Sequence, residues 1–406
     1  VTMATVSVAP AVALVTAVGL GWAGGAGFPE QVSAADPRYI LVGAGDYSTS
    51  STTTVHVFTV SASAGVAGPV SSAVAGTNPS WICGGGRTVG TAVDPVFACL
   101  ESVGNSTIGG MAALAFAPDS GHLSAINAER WPTGGGHFGP AHCAVPPAVG
   151  VPRRAAHYVV AASYSEGDTA VFAVDRQTGA VGPAVQTFQY AAGSHAHCVT
   201  FSPDGRFAFV VDLGLNMVHG YEWSASTGRL SPGHTLTLPA GTAPRHLTFS
   251  IDGKWGLLLT ESTSLLMALP FDAESGRLTA ATGKRVVSTL PPGTTAQNFC
   301  AEVRAHPDGR HVYVTNRGHD SVALATLDPA TGNLAMVAWE SMLISWPRGM
   351  DVSPEGDVLV VANQQGEHGS TIVAFAISPE TGRLTLAGRP VKVDSPTDVS
   401  FPGYAV

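Results

Sequence analysis

The chain has 406 residues, 45% of them hydrophobic and 12% charged, with a formal net charge of −9 from 20 Lys+Arg and 29 Asp+Glu. That charged share is about half the usual 25%. It excludes a disordered chain, and the lack of any Lys/Arg cluster excludes nucleic acid as a partner. With 48 Gly and 28 Pro, breakers recur too often for long helices and favour many short strands.

Residues 1–36 read as an apolar leader or N-terminal extension. Residues 3–27 are small and apolar, and Val32-Ser33-Ala34-Ala35 resembles a signal-peptidase site, yet no Lys or Arg precedes Arg38. Gly and Ala dominate the stretch, so no stable membrane span is expected. A cleaved secretory leader and an ordered extension packed on the domain both fit. Asn105-Ser106-Thr107 forms a glycosylation sequon, and Cys83 and Cys99 flank a hairpin that a disulfide would close. Both features agree with a secreted protein; a cytoplasmic one is the alternative. Five cysteines with no CxxC pair suggest neither a disulfide scaffold nor a zinc site.

From Tyr39 onward the chain is periodic. A polar stretch ending in Gly, then one residue, then usually Leu, recurs with Gly at 65, 121, 179, 228, 276, 332 and 382, spaced by 48 to 58 residues. Ser226-Thr227-Gly228-Arg229-Leu230 and Glu380-Thr381-Gly382-Arg383-Leu384 are clear examples. A second turn is interleaved: Ser202-Pro203-Asp204-Gly205, Ser250-Ile251-Asp252-Gly253, His306-Pro307-Asp308-Gly309 and Ser353-Pro354-Glu355-Gly356. Its Asp-Gly pair is a conformational device. Short β-rich runs follow each turn, such as Phe207-Ala208-Phe209-Val210-Val211, and helical spacing is absent. A period of about 50 residues holding four strands marks a β-propeller blade.

Seven repeats predict an all-β, seven-bladed β-propeller as a single domain over residues 37–406. The blade starting at Tyr39 lacks an inner strand, and Ser395–Phe401 supplies one without the rest of its blade. Pairing the two closes the ring and removes open edges.

Aligning the blades on their turns gives two rings at one channel mouth. The first holds Ser80, His142, His197, Arg245, Ala301, Arg348 and Thr397. The second, just after each second strand, holds Glu101, Tyr164, Leu213, Glu261, Arg317 and Gln364. Two histidines, three arginines and one or two carboxylates thus converge. Buried ionic groups are expensive unless paired or needed by a ligand. A His beside Arg and Glu suits acid/base chemistry. The bland reading is an ion-pair network, with Glu261 neutralising Arg245 and Arg317.

The segments His197 to Leu230, Pro244-Arg245-His246, Ala301-Glu302-Val303-Arg304, Thr315-Asn316-Arg317-Gly318-His319-Asp320-Ser321 and Ala362-Asn363-Gln364 resemble the seven-bladed lactonase family. That family includes bacterial-type 6-phosphogluconolactonases and fungal 3-carboxy-cis,cis-muconate cyclases. The resemblance runs from about Tyr39 to Phe401. It implies catalytic roles for His197, Glu261, Arg245 and Arg317, and the ring positions add His142, Arg348, Gln364, Glu101 and Tyr164 as substrate-binding residues. The chain departs from the family in its Gly84-Gly85-Gly86 insert, in Ala162-Ser163-Tyr164 and in the leader.

His195-Ala196-His197 would place both imidazoles on one face of a regular strand, but no third ligand has suitable spacing, and no metal or other cofactor is expected. There is no Gly-x-Ser-x-Gly nucleophile elbow. Cys198 reads as a buried thiol, with Cys143 at the equivalent place in its blade, and His319 as a loop-capping residue. The leading expectation is a monomeric lactonase opening a small lactone that carries a carboxylate or phosphate. A lactonizing cycloisomerase, or a secreted propeller that binds a ligand without catalysis, are the alternatives.

Overall fold

The structure, a computed structural model, describes residues 38–45, 52–84, 93–101, 109–132, 139–147, 158–366 and 369–402. They form seven antiparallel sheets, as the repeat predicts. Blade 1 combines Arg38–Ala44, Thr52–Ser61 and Gly65–Thr77 with the C-terminal strand Pro396–Ser400. Blades 2 to 7 begin at inner strands Pro79–Gly84, His142–Ala144, Ala196–Phe201, Pro244–Phe249, Phe299–Ala305 and Pro347–Val352. In blade 5 the outer strand is split into Arg277–Leu278 and Val286–Ser288 around a 3-10 turn at Gly283–Arg285. The leader reading for residues 1–36 and the sequon at Asn105 fall outside the described residues.

The core lies between blades. In Phe207–Asp212, Phe209 and Val211 pack into a cluster shared with blade 5, while Ala208 and Val210 pack into one shared with blade 3. Alternate side chains thus serve opposite faces, both buried. This is why second strands read as unbroken apolar runs rather than as alternation.

The repeat glycines have one steric job. All seven have positive φ, from 65° to 73°, where a Cβ is disfavoured. A Cβ on Gly276 would also stand 2.3 Å from the Phe207 ring of the preceding blade, and one on Gly332 2.5 Å from Trp255. Five of the seven turns receive a ring from the neighbouring blade in this way, whereas Gly65 meets the Ala387 backbone and Gly179 meets Ile126 and Pro95. Asp204 behaves as a turn residue, accepting from Ser202 Oγ at 2.5 Å and from Arg206 N at 3.2 Å.

Ring closure follows the expected pairing, with Leu41 opposite Ser400, Val42 opposite Val399 and Gly43 opposite Asp398. Thr397 Oγ1 donates to Pro79 O at 2.6 Å and Asp398 Oδ2 accepts from Ile82 N at 2.8 Å, tying the closing strand to blade 2.

The expected Cys83–Cys99 disulfide does not form. Cys83 is bonded to Cys143, with Cα atoms 6.0 Å apart, and Cys99 is a buried free thiol. Cys83 lies opposite Phe97 in its own sheet, so its side chain is directed sideways to the next blade. Cys143 is accordingly no free thiol, unlike Cys198, whose thiol is pushed up to about 12 by burial. The bridge pins the three-residue inner strand of blade 3. It closes a 60-residue span, for which loop-closure entropy gives about 4 kcal/mol. Cys83→Ser should therefore lower the melting temperature markedly, and thiol reduction of the wild type should match it. An unchanged melting curve would show the bridge to be idle.

Candidate active site

A backbone irregularity builds the mouth. In six of the seven inner strands the register slips by one residue at the same height. The extra residues are Ser80, His197, Arg245, one of Ala301 and Glu302, Arg348 and Thr397. A β-bulge sets two residues against one and re-aims side chains. The first ring is thus a ring of bulges, with His142 at the start of its own short strand. The bulge also breaks the alternation on which an HxH metal pair depends. His195 instead stacks on Tyr164, with centroids 4.5 Å apart, and its Nδ1 meets Tyr164 O at 2.9 Å.

His197 is 7% exposed and meets the Tyr164 ring edge-on at 5.5 Å and the His246 ring at 5.1 Å. Burial pulls its pKa well below the ordinary histidine range, and the charge of Arg245 pulls it further. The imidazole is neutral at neutral pH. Among the described residues nothing hydrogen-bonds its buried Nδ1.

Glu261 joins the two arginines. Its Oε1 accepts from Arg317 Nη2 at 3.0 Å and its Oε2 lies 3.2 Å from Arg245 Nε. Arg317 is further held by Phe299 O and Cys300 O, both at 3.1 Å. Burial pulls both guanidinium groups below their ordinary values. One carboxylate between two guanidiniums leaves an excess positive charge in a poorly hydrated place, where an incoming negative charge is strongly favoured. The four residues expected to be catalytic therefore meet at one mouth, and Glu261 does bridge both arginines as the ion-pair reading supposed.

The other expected ligand residues are arranged unevenly. Arg348 faces Glu101 across 3.7 Å. Tyr164 is 37% exposed at the rim. Gln364 is buried at the end of its second strand, its backbone N donating to Trp346 O at 3.1 Å. His142 lies deeper than its ring position implied. It stacks on Trp81 at 3.9 Å, meets the His246 ring edge-on at 5.2 Å, and lines a cavity of ≈80 Å³ that reaches the far ends of the inner strands at Gly84 and Phe201. His319 caps its loop, its Nδ1 2.8 Å from Ser321 Oγ.

Beneath the mouth lies a polar layer that sequence reasoning did not single out: His246, Glu302, Arg304, Asp351 and Asp398, all buried. Burial pushes the Glu302, Asp351 and Asp398 carboxyls up, Asp398 farthest. The available signal was a charged or imidazole residue in each strand that should be apolar, at Pro244-Arg245-His246, Glu302-Val303-Arg304 and Asp351. Elsewhere His306, Asp308 and His311 come together. Their hydrogen bonds serve the turn: His311 Nδ1 lies 2.6 Å from Asp308 Oδ2, and His306 Nε2 2.7 Å from Gly356 O.

A seven-bladed propeller with a neutral buried histidine beside two carboxylate-bridged arginines defines an enzyme-like channel mouth. Comparison with known proteins agrees. Residues 41–401 match the family model described as lactonase, 7-bladed beta-propeller. The chain is 30% identical to the 6-phosphogluconolactonase of Bacillus subtilis over 300 residues, 72% of this chain and 80% of that protein. Among solved structures it is similar to the periplasmic gluconolactonase PpgL of Pseudomonas aeruginosa, with TM-score 0.76, 28% identity and coverage of 90% and 98% of the two chains. It is also similar to a putative 6-phosphogluconolactonase of Bacteroides uniformis, with TM-score 0.75, 26% identity and coverage of 90% and 99%. The chain belongs to the lactonase family of seven-bladed propellers, and it is an enzyme of that lactone-hydrolase class.

Proposed function

We propose that the protein hydrolyses a small sugar-type lactone at this mouth, with His197 as proton carrier and Arg245 and Arg317 as the electrostatic clamp. The neutral imidazole of His197 takes a proton from water as its oxygen attacks the lactone carbonyl carbon. The carbonyl oxygen becomes an oxyanion facing the two guanidiniums, which strengthen their hold as charge develops. The intermediate collapses by breaking the ring carbon–oxygen bond, and the imidazolium returns its proton to the departing alkoxide. The product is a hydroxy acid, one water heavier than the lactone. Glu261 holds Arg317 by a hydrogen bond and balances the charge of Arg245. Arg348, Tyr164, Gln364 and Glu101 form the rim that meets the rest of the substrate.

The observation that carries this reading is the buried His197 beside the excess positive charge of two arginines that share one carboxylate. The same excess suits a substrate bearing a carboxylate or phosphate. The Cys83–Cys143 bridge agrees with an oxidising compartment, and so with an exported enzyme.

Turnover of aldonolactones with and without a 6-phosphate tests the reading. At least one should be opened, and the phosphorylated form should have the lower KM. Arg245→Ala should lower kcat by roughly 10²-fold, the usual cost of one oxyanion donor, and raise KM. Arg245→Lys should recover only part, since a point charge lacks the guanidinium fork. An enzyme that opens no lactone, or full activity in Arg245→Ala, would sink the assignment.

A further inference from the structure

The hydrogen bonds of His246 fix its tautomer. Arg245 Nη1 lies 3.0 Å from His246 Nε2, and a guanidinium only donates, so Nε2 carries the lone pair. Nδ1 therefore bears the proton and gives it to Glu302 Oε2 at 3.1 Å. Glu302 is itself held: its Oε1 accepts from Arg304 Nη1 at 2.6 Å and from Val303 N at 2.9 Å. Arg304 is anchored in turn by Asp351 at 2.9 Å and stands 5.4 Å over the Trp81 ring. His246 and Glu302 are 3% and 1% exposed, so this chain of bonds is shielded from water, where each link is stronger.

Arg245 depends on that chain. Its Nη1 also donates to Ala301 O. Its Nε lies near Glu261 but outside hydrogen-bond geometry. The carboxylate therefore balances its charge, and the contacts at Nη1 orient its plane. The opposite tautomer of His246 would set an N–H against the guanidinium N–H and push it aside.

The geometry points to His246 as a positioning residue for Arg245: Glu302, anchored by Arg304, keeps the imidazole in its Nδ1–H form, and the Nε2 lone pair sets the guanidinium plane. The inference rests on the reading in which Arg245 stabilises the reacting oxygen. It adds a role for a residue that touches no substrate. It resembles the outer partners of metal-bound histidines, which fix a tautomer and thereby a geometry.

Two variants separate the bonds. A glutamine at 246 reaches the place of Nε2 and can still accept from Arg245. An asparagine reaches only the place of Nδ1, keeps Glu302 and leaves Arg245 without its imidazole acceptor, held at Nη1 by Ala301 O alone. H246N should lower kcat/KM roughly 10- to 100-fold, the range seen when outer partners are lost, and H246Q should lose markedly less. In an R245K background the difference between Asn and Gln should shrink to less than about twofold, because the group being oriented is gone. Equal losses in H246N and H246Q, or an undiminished difference in R245K, would overturn the positioning role while leaving the lactonase reading intact. Full activity in R245A would overturn the lactonase reading and the catalytic use of His246 with it. Long-range ¹H–¹⁵N correlation of the wild-type histidines needs neither a variant nor turnover. A protonated Nδ1 and bare Nε2 at His246 are expected, and the reverse tautomer overturns the inference even if neither variant folds.

Discussion

Replacing His197 with Ala should lower kcat on the lactone substrate by roughly 10²–10⁴-fold, the usual share of a positioned acid/base group, with KM nearly unchanged. The arginine pair and its Glu261 bridge lie on blades 5 and 6 and survive the change, so ground-state binding persists. The melting temperature should move little, because His197 belongs to none of the apolar clusters between blades. A pH profile adds an independent mark. The base must be unprotonated to act, and burial beside Arg245 lowers its pKa. The acid limb of kcat/KM should therefore fall below the ordinary histidine value of about 6.5, with activity lost as pH drops through that lowered pKa. The limb should vanish from the residual rate of the variant. Full activity in a folded His197→Ala protein would remove His197 from the chemistry.

Deleting residues 396–406 should abolish cooperative folding altogether. The inner strand of blade 1 would be lost, with Val399 and Phe401, which are 0% and 4% exposed, each worth about 1.5–3 kcal/mol of burial. Arg38–Ala44 would become an open edge. Ile82 N would lose the Asp398 carboxylate, and Asp351 Oδ2 would lose Phe401 N at 2.9 Å. Together these approach the whole stability of a typical domain, about 5–15 kcal/mol. Aggregation on size-exclusion chromatography and loss of a sharp melt are expected. A monomeric truncated protein melting like the full chain would show that closure is dispensable.

Much of this fold could be read from the sequence because its repeat is written in residues with steric jobs. A glycine needed at positive φ and backed by a neighbour's aromatic cannot drift, so Gly228, Gly276 and Gly332 keep time along the chain. The mouth was legible for the same reason, since counting from those turns lands on His197, Arg245, Glu261 and Arg317. What stayed hidden depends on contacts between blades. Nothing in the spacing of five cysteines says that Cys83 looks sideways to Cys143. The depth of His142 follows from Trp81, a residue in another blade. The layer of His246, Glu302 and Arg304 was hidden by the bulge, which suspends the in-and-out alternation used to assign faces to a strand.

The ring of bulges also bears on how such an enzyme changes. A bulge residue stands outside the ladder, so its side chain can be exchanged without unpairing a strand or shifting its register. The mouth is in this sense a cassette of independent positions on a rigid frame. Half of it is chemically quiet here: Ser80, Ala301 and Thr397 carry no charge. Ala301 is the least open to enlargement, because it is fully buried and its backbone oxygen accepts from Arg245. Substitutions at Ser80, whose Oγ donates to Pro140 O at 3.3 Å, should alter which lactones are accepted more often than they impair folding, whereas Thr397 ties the closing strand to blade 2 and should tolerate little change.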